Sequence, residues 1–221
     1  MGEQLGSVVP EPGGQSRVTG EDAQPDIRLY LRRGRSEVTV GAIRVHEFMT
    51  LDGVIDTPSW TAEYGFDPKM GTAIAAVMAG CEGLLLGRKT YEMFEPAWSV
   101  RSAEDDPGAP FINDTTKYVI SSTLDSTSWR NSTIVGRYDP ATIHELKDRI
   151  AGGVYVSGSA TLVQSLLMDR LVDELHLFVY PLVAGKGRRL FDDRQPSSKW
   201  SLKQAAFYEN GVSYLAYEQA S

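Results

Sequence analysis

The sequence predicts a three-layer α/β/α domain around a central mixed, mostly parallel sheet of about eight strands, closed by a C-terminal antiparallel hairpin. Three observations predict it. Continuous apolar runs such as "LLL" (84–86), bounded by Gly83 and Gly87, read as strands buried on both faces, the habit of parallel sheets. Stretches with apolar residues at helical spacing alternate with those runs. Near the C-terminus two strand-like stretches flank Glu209-Asn210-Gly211, and Asn-Gly favours a type I′ hairpin turn.

Residues 1–42 stand apart, being rich in Gly, Pro and charge without sustained periodicity, and are expected to be a disordered tail ahead of a domain at 43–221. Six acids offset five arginines there, so the cluster Arg32, Arg33 and Arg35 reads as part of a solvated tail more readily than as an anion-binding arm. A translation start near Val38 or Val40 is the alternative.

From Ile43 the elements follow in order. "IRVHEFM" (43–49) is a strand, broken by the glycine and proline of "LDGVIDTPSW". "KMGTAIAAVMAG" (69–80) has helical spacing, the leucine strand follows, and a short helix is expected over 88–94. "KYVIS" (117–121) and "TIV" (133–135) are strands. Asp139 is a good N-cap and Pro140 fits the first helical position, so 139–150 is a helix with Ile143, Leu146 and Ile150 on one face. "VYVS" (154–157) is a buried strand, 159–171 a helix with Leu162, Val163, Leu166 and Leu167 inward, and "ELHLFVYP" (174–181) a long strand.

Composition narrows the function classes. A net charge of -7, with 29 acids against 22 bases, argues against a nucleic-acid partner, whose phosphates need a basic face. The single cysteine, Cys81, excludes an internal disulfide and a thiolate cluster, and its apolar neighbours make it a core residue; a cytoplasmic setting is expected. Neither a membrane span nor a signal peptide is indicated. His46, His144 and His176 lack ligand spacing, so no metal is expected.

Ligands of such sheets bind beyond the carboxyl ends of the parallel strands, where helices begin. Two turns there have anion chemistry. In Gly87-Arg88-Lys89-Thr90 a glycine, two cations and a hydroxyl precede a helix whose first N–H groups are unpaired. In Ser157-Gly158-Ser159-Ala160-Thr161 small residues let backbone approach a ligand closely. Taken singly, each turn fits a packing or solvent-exposed role equally well. Ser121 and Ser122, at a third strand end, add hydroxyls. Together the three ends suggest a phosphate-rich dinucleotide.

Those residues resemble the dihydrofolate reductase-like superfamily, and within it the reductase domain of the bifunctional riboflavin-biosynthesis protein. The resemblance runs in order from about Arg44 to Tyr217 through "MTLDGVI", "LLLGRKTYEMF", "KYVIS", "YVSGSATLVQSLL" and "RLVDELHLFVYPLVAGKGRRLF". It implies an oxidoreductase using NADPH, with Arg88 and Lys89 meeting the 2′-phosphate or a neighbouring phosphate, Ser121 or Ser122 assisting, and Gly87, Thr90, Ser157, Gly158, Ser159, Ala160 and Thr161 forming the rest of the cofactor site. A double glycine usual in the family reads Ser157-Gly158 here. The resemblance also implies a homodimer, and it places Asp52 beside the nicotinamide as a substrate-orienting or proton-relaying carboxylate. An Asp-Gly turn ending the first strand is the alternative for Asp52. Asp56 and Asp67 are weaker candidates.

Trp60, Tyr64, Phe66 and Trp98 are aromatics in loop-like segments that would stack on a flat heterocycle or cover the core. The zinc-deaminase signature of the bifunctional protein is missing, and so is a clear counterpart of the helical acid that dihydrofolate reductases use. The expected activity is therefore hydride transfer from NADPH to a small pterin-like or pyrimidine-like heterocycle. Dihydrofolate reductase or 5-amino-6-(5-phosphoribosylamino)uracil reductase proper is one alternative; a dinucleotide-binding protein without turnover is another.

Overall fold

A computed structural model describes residues 41–220. The tail expected over 1–42 lies outside the described residues except for Gly41 and Ala42, which are buried.

Eight strands form one sheet in the order β4-β3-β2-β5-β1-β6-β8-β7. They are β1 (Ile43–Thr50), β2 (Cys81–Gly87), β3 (Thr116–Ile120), β4 (Ser132–Gly136), β5 (Gly153–Ser157), β6 (Glu174–Tyr180), β7 (Trp200–Phe207) and β8 (Ser213–Gln219). The first six run parallel, and β8 pairs antiparallel with β6 and with β7. The mixed, mostly parallel sheet and terminal hairpin are those the sequence predicts.

Five helices cover the sheet: α1 (Pro68–Met78), α2 (Arg88–Trp98), α3 (Ala109–Asp114), α4 (Pro140–Arg149) and α5 (Ala160–Met168). Leucine and valine side chains from β1, β2, β5 and β6 pack against Ile143 and Leu146 of α4 and Leu162, Val163 and Leu166 of α5. On the other face Leu84, Leu86, Val119 and Tyr155 meet α1, α2 and α3. A third cluster, with Phe48, Phe178, Tyr180 and Tyr214, sits between α1 and the antiparallel end. Alternation along β1 explains the split, since even positions face one layer and odd positions the other.

Local chemistry follows the sequence at several points. Asp139 caps α4, its carboxylate accepting from the amides of Ala141 and Thr142. The C-terminal turn differs from expectation. Gly211 has φ 84, while Asn210 keeps a negative φ; Gly211 N–H donates to Tyr208 O at 3.0 Å and Tyr208 N–H to Val212 O at 3.0 Å. That is a three-residue loop with glycine in the left-handed position, not type I′. Asn210 is used elsewhere, its Nδ2 donating to Gly65 O at 3.1 Å.

α2 runs on through Pro96 to Trp98, beyond the expected end at 94. Eleven residues carry the chain about 16 Å from the carboxyl edge of the sheet toward the amino edge. There Asn113 donates from Nδ2 to Trp98 O at 2.9 Å and accepts from the Trp129 indole at 2.8 Å. Lys117 is fully buried beside it, donating to the carbonyls of Ile112, Asn113 and Thr115 at 3.0, 2.9 and 2.9 Å. Its ammonium also lies 4.6 Å from the centre of the Trp129 ring.

Candidate active site

Because β2 and β5 are neighbours in the sheet, the two small-residue turns that follow them meet. Thr90, buried in the first turn of α2, donates from Oγ1 to Ser159 Oγ at 3.1 Å. Glycine is required on both sides of this seam. A Cβ at Gly87 would lie 2.2 Å from Ser159 Oγ, and Gly158 has φ 64 with space for a Cβ only 3.0 Å from Thr90 Oγ1. The backbone is thus brought close at a spot where side chains would fill the space. Neither Gly87 nor Ser159 supplies a side-chain cap to the helix it precedes. The first N–H groups of α2 and α5 are therefore available to an anion.

Beside the seam an open cleft of about 400 Å³ is lined by Arg88, Ile120, Ser121, Ser122, Thr123, Arg137 and Tyr138. Arg88 is exposed and pairs with Glu92 at 3.3 Å, one turn along α2. Lys89 is exposed next to it. Ser121 uses its hydroxyl internally, accepting from the amides of Thr123 at 3.1 Å and Leu124 at 2.9 Å. Arg137 was not singled out from the sequence. The signal was present: Gly136-Arg137 follows β4 as Gly87-Arg88 follows β2.

Asp52 lies in the turn after β1. It accepts from Thr50 Oγ1 at 2.6 Å and from the amides of Ala184 and Gly185 at 3.0 and 2.9 Å, with the Arg189 guanidinium 3.7 Å away. The Thr50 hydroxyl first, then the amides, hold its carboxyl down to about 2. It is an ionised carboxylate that ties the β1 turn to the loop after β6.

A second carboxyl, Glu47, was missed because its position in β1 reads as part of the alternating strand. It is 5% exposed and accepts from the amide of Gly158 at 3.0 Å. Burial pushes its pKa up to about 8, against which the Gly158 bond acts only partly. Glu47 is therefore protonated at neutral pH and still holds the glycine of the α5 turn.

Three of the four aromatics lie on the α1 side. Trp60 and Tyr64 stand edge-on to Tyr180 with ring centres 5.1 and 5.5 Å apart, and Phe48 completes the group at 5.7 Å from Tyr180. The Trp60 indole N–H is buried without a hydrogen-bond partner. Phe66 is 60% exposed and borders α1 at Gly71. Trp98 is separated from them, since α2 carries it to the opposite edge, where Arg101 lies over its ring at 4.7 Å. Among the described residues no group of three His, Cys, Asp or Glu is placed to hold a metal ion, and no helix is long and apolar enough to cross a membrane.

Residues 42–214 match the RibD C-terminal domain family. The chain belongs to that family. It is similar to two Bacillus subtilis (strain 168) proteins, the uncharacterized protein YyaP (23% identity over 175 residues, 76% of this chain and 90% of the relative) and the uncharacterized protein YwjB (27% over 152 residues, 69% and 79%). Among solved structures, a putative riboflavin biosynthesis protein from Shewanella sp. PV-4 superposes with TM-score 0.66 at 19% identity, covering 81% of this chain and 99% of that one. Dihydrofolate reductase from Enterococcus faecalis, complexed with NADP(H), gives TM-score 0.55 at 16% identity over 82% and 98% of the two chains. The deaminase/reductase of Thermotoga maritima gives 0.58 at 16% identity over 81% of this chain and 56% of that longer one. At these identities the solved structures establish a shared fold. RibD C-terminal domain membership and the dihydrofolate reductase-like fold thus rest on the whole domain, not on any one turn.

Proposed function

We propose that this RibD C-terminal domain protein is an NADPH-dependent reductase that delivers hydride to a small, flat, pterin-like or pyrimidine-like heterocycle. The observation that carries the reading is the seam at Thr90 and Ser159, where two uncapped helix N-termini converge beside a cleft bearing Arg88 and Arg137. The residues present fit a dinucleotide phosphate: the glycines let the two turns pack against each other, which sets two uncapped helix N-termini side by side, and Arg88 and Arg137 line the adjoining cleft. Bound NADPH supplies the hydride.

The chain's own residues supply position. Arg88, Lys89 and Arg137, with the Ser122 hydroxyl, select the 2′-phosphate. Thr90, Gly158, Ser159, Ala160 and Thr161 take the pyrophosphate, and Glu47 fixes Gly158 from beneath. Asp52 has both carboxylate oxygens engaged by Thr50, Ala184, Gly185 and Arg189, which supports the turn-holding alternative over direct substrate orientation or proton relay. Trp60, Tyr64 and Phe66 would form the wall for the heterocycle. Trp98 has no part in this wall.

A second copy of the chain is the proposed partner of the outer hairpin. β7 is an exposed edge strand carrying Leu202 (53% exposed) and Phe207 (77% exposed), and an apolar edge of this kind is normally covered. A cytoplasmic setting is proposed on the free thiol of Cys81.

The test is calorimetric titration with NADPH and NADH. Arg88→Ala should weaken NADPH by about 1.5–3 kcal/mol and leave NADH nearly untouched, because only NADPH carries the extra phosphate. Wild-type protein that binds neither nucleotide would remove the reductase reading.

A further inference from the structure

The loop after β6 carries a guanidinium to the first turn of α5. Ile55 N–H donates to Arg188 O at 2.9 Å, Leu190 N–H to Gly53 O at 2.8 Å, and the buried Gln164 donates from Nε2 to Arg189 O at 2.6 Å. These bonds fix the backbone on either side of Arg188. Its side chain reaches α5, where Nη1 donates to Thr161 Oγ1 at 2.5 Å. Thr161 is the second residue of that helix.

This is an unfavourable place for a cation. A helix N-terminus carries roughly half a positive charge, so a guanidinium there is repelled unless an anion lies between. The neighbouring arginines have carboxylates: Arg189 has Asp52 at 3.7 Å, and Arg194 has Asp192 at 2.6 Å. Arg188 forms no ion pair with a carboxylate among the described residues. Beside it opens a polar cavity of about 370 Å³, lined also by Gln164, Gly187, Arg189, Asp192, Asp193 and Arg194. Asp192 is occupied by Arg194, which leaves Asp193 as the one acid there without such a pairing.

We infer that Arg188 is a binding residue for the cofactor pyrophosphate, closing the outer side of the α5 turn against the diphosphate that Gly158, Ser159 and Ala160 cradle. The inference rests on the proposed dinucleotide site. It adds a charged contact that no backbone turn provides, from a loop some 30 residues beyond the turn in sequence. The arrangement is preorganised, because the laced backbone holds Arg188 at Thr161 before any ligand arrives.

Pyrophosphate is common to NADPH and NADH, whereas the 2′-phosphate belongs to NADPH alone. Full-length wild type, Arg188→Gln, Arg188→Lys and Arg88→Ala would each be titrated calorimetrically with both nucleotides. Arg188→Gln should weaken NADPH and NADH by the same factor, about 10- to 100-fold, and Arg188→Lys should recover part of that loss. Arg88→Ala should weaken NADPH only. If Arg188→Gln leaves both affinities unchanged while Arg88→Ala still removes the preference for NADPH, the dinucleotide site stands and the role of Arg188 is overturned. Loss confined to NADPH in Arg188→Gln would also overturn it, by placing Arg188 at the other phosphate. Failure of the wild type to bind either nucleotide would overturn the site and the inference together.

Discussion

Glu47→Gln gives a test of the buried carboxyl beneath the α5 turn. In the folded protein Glu47 titrates at about 8, against an ordinary value of 4.5, with burial as the main cause. The folded state therefore keeps a proton that the unfolded chain releases near pH 4.5. Stability from this group is fully present below pH 4.5 and is lost as pH rises through about 8. Its neighbour His46 acts in the opposite sense. Burial, with the nearby His176 charge, lowers it from 6.5 to about 3, so its contribution is complete above pH 6.5 and lost as pH falls toward 3. Between pH 6.5 and 8 His46 changes little and the titration of Lys117, which burial lowers to about 8, is common to both proteins, so their difference isolates Glu47, and linkage gives a loss of about 1.5 kcal/mol over that window. Glutamine keeps an acceptor for Gly158 N–H but has no proton to lose. Urea unfolding of both proteins at pH 6.5, 7.0, 7.5 and 8.0 reads the difference. The wild type should lose that stability relative to the variant, and parallel pH profiles would refute the assignment of a protonated Glu47.

Two further substitutions probe the packing. Gly87→Ala would drive a Cβ to 2.2 Å from Ser159 Oγ, so it should push the two turns apart and weaken NADPH and NADH alike in a calorimetric titration. Lys117→Met should cost about 2–4 kcal/mol in urea unfolding at pH 7, because two buried carbonyls and a half-buried one lose a charged donor. That variant should leave nucleotide affinity unchanged, since Lys117 sits at the amino end of β3, away from the carboxyl edge.

Much of the fold was legible because its signals are local. Gly83 and Gly87 bracket the leucines of β2, and Asp139-Pro140 marks the start of α4. The site was legible where a motif lies in one stretch, as at Gly87-Arg88-Lys89-Thr90. Other features depend on what the sheet brings together. Nothing in the sequence pairs Thr90 with Ser159, because their contact follows from β2 and β5 being neighbours. Glu47 falls on the same face of β1 as Ile43, Val45 and Met49, so its burial follows from the alternation, but its bond to Gly158 depends on β5 lying beside β1. Trp98 reads as a loop residue because it lies beyond the helix expected over 88–94, yet α2 continues through Pro96 and carries it away. Arg188 belongs to the stretch "GKGRRLF" (185–191), but its approach to Thr161 is set by hydrogen bonds to Gly53, Ile55 and Gln164.

Hydrogen exchange of the native protein with and without NADPH tests the central claim most directly. Dinucleotide binding at the seam should slow exchange at the amides of Arg88 to Thr90 and of Ser159 to Leu162, with weaker protection at Ser122 and Thr123. Saturating NADPH that leaves those amides unprotected, or protects another region instead, would contradict the assignment of this sheet edge as the cofactor site.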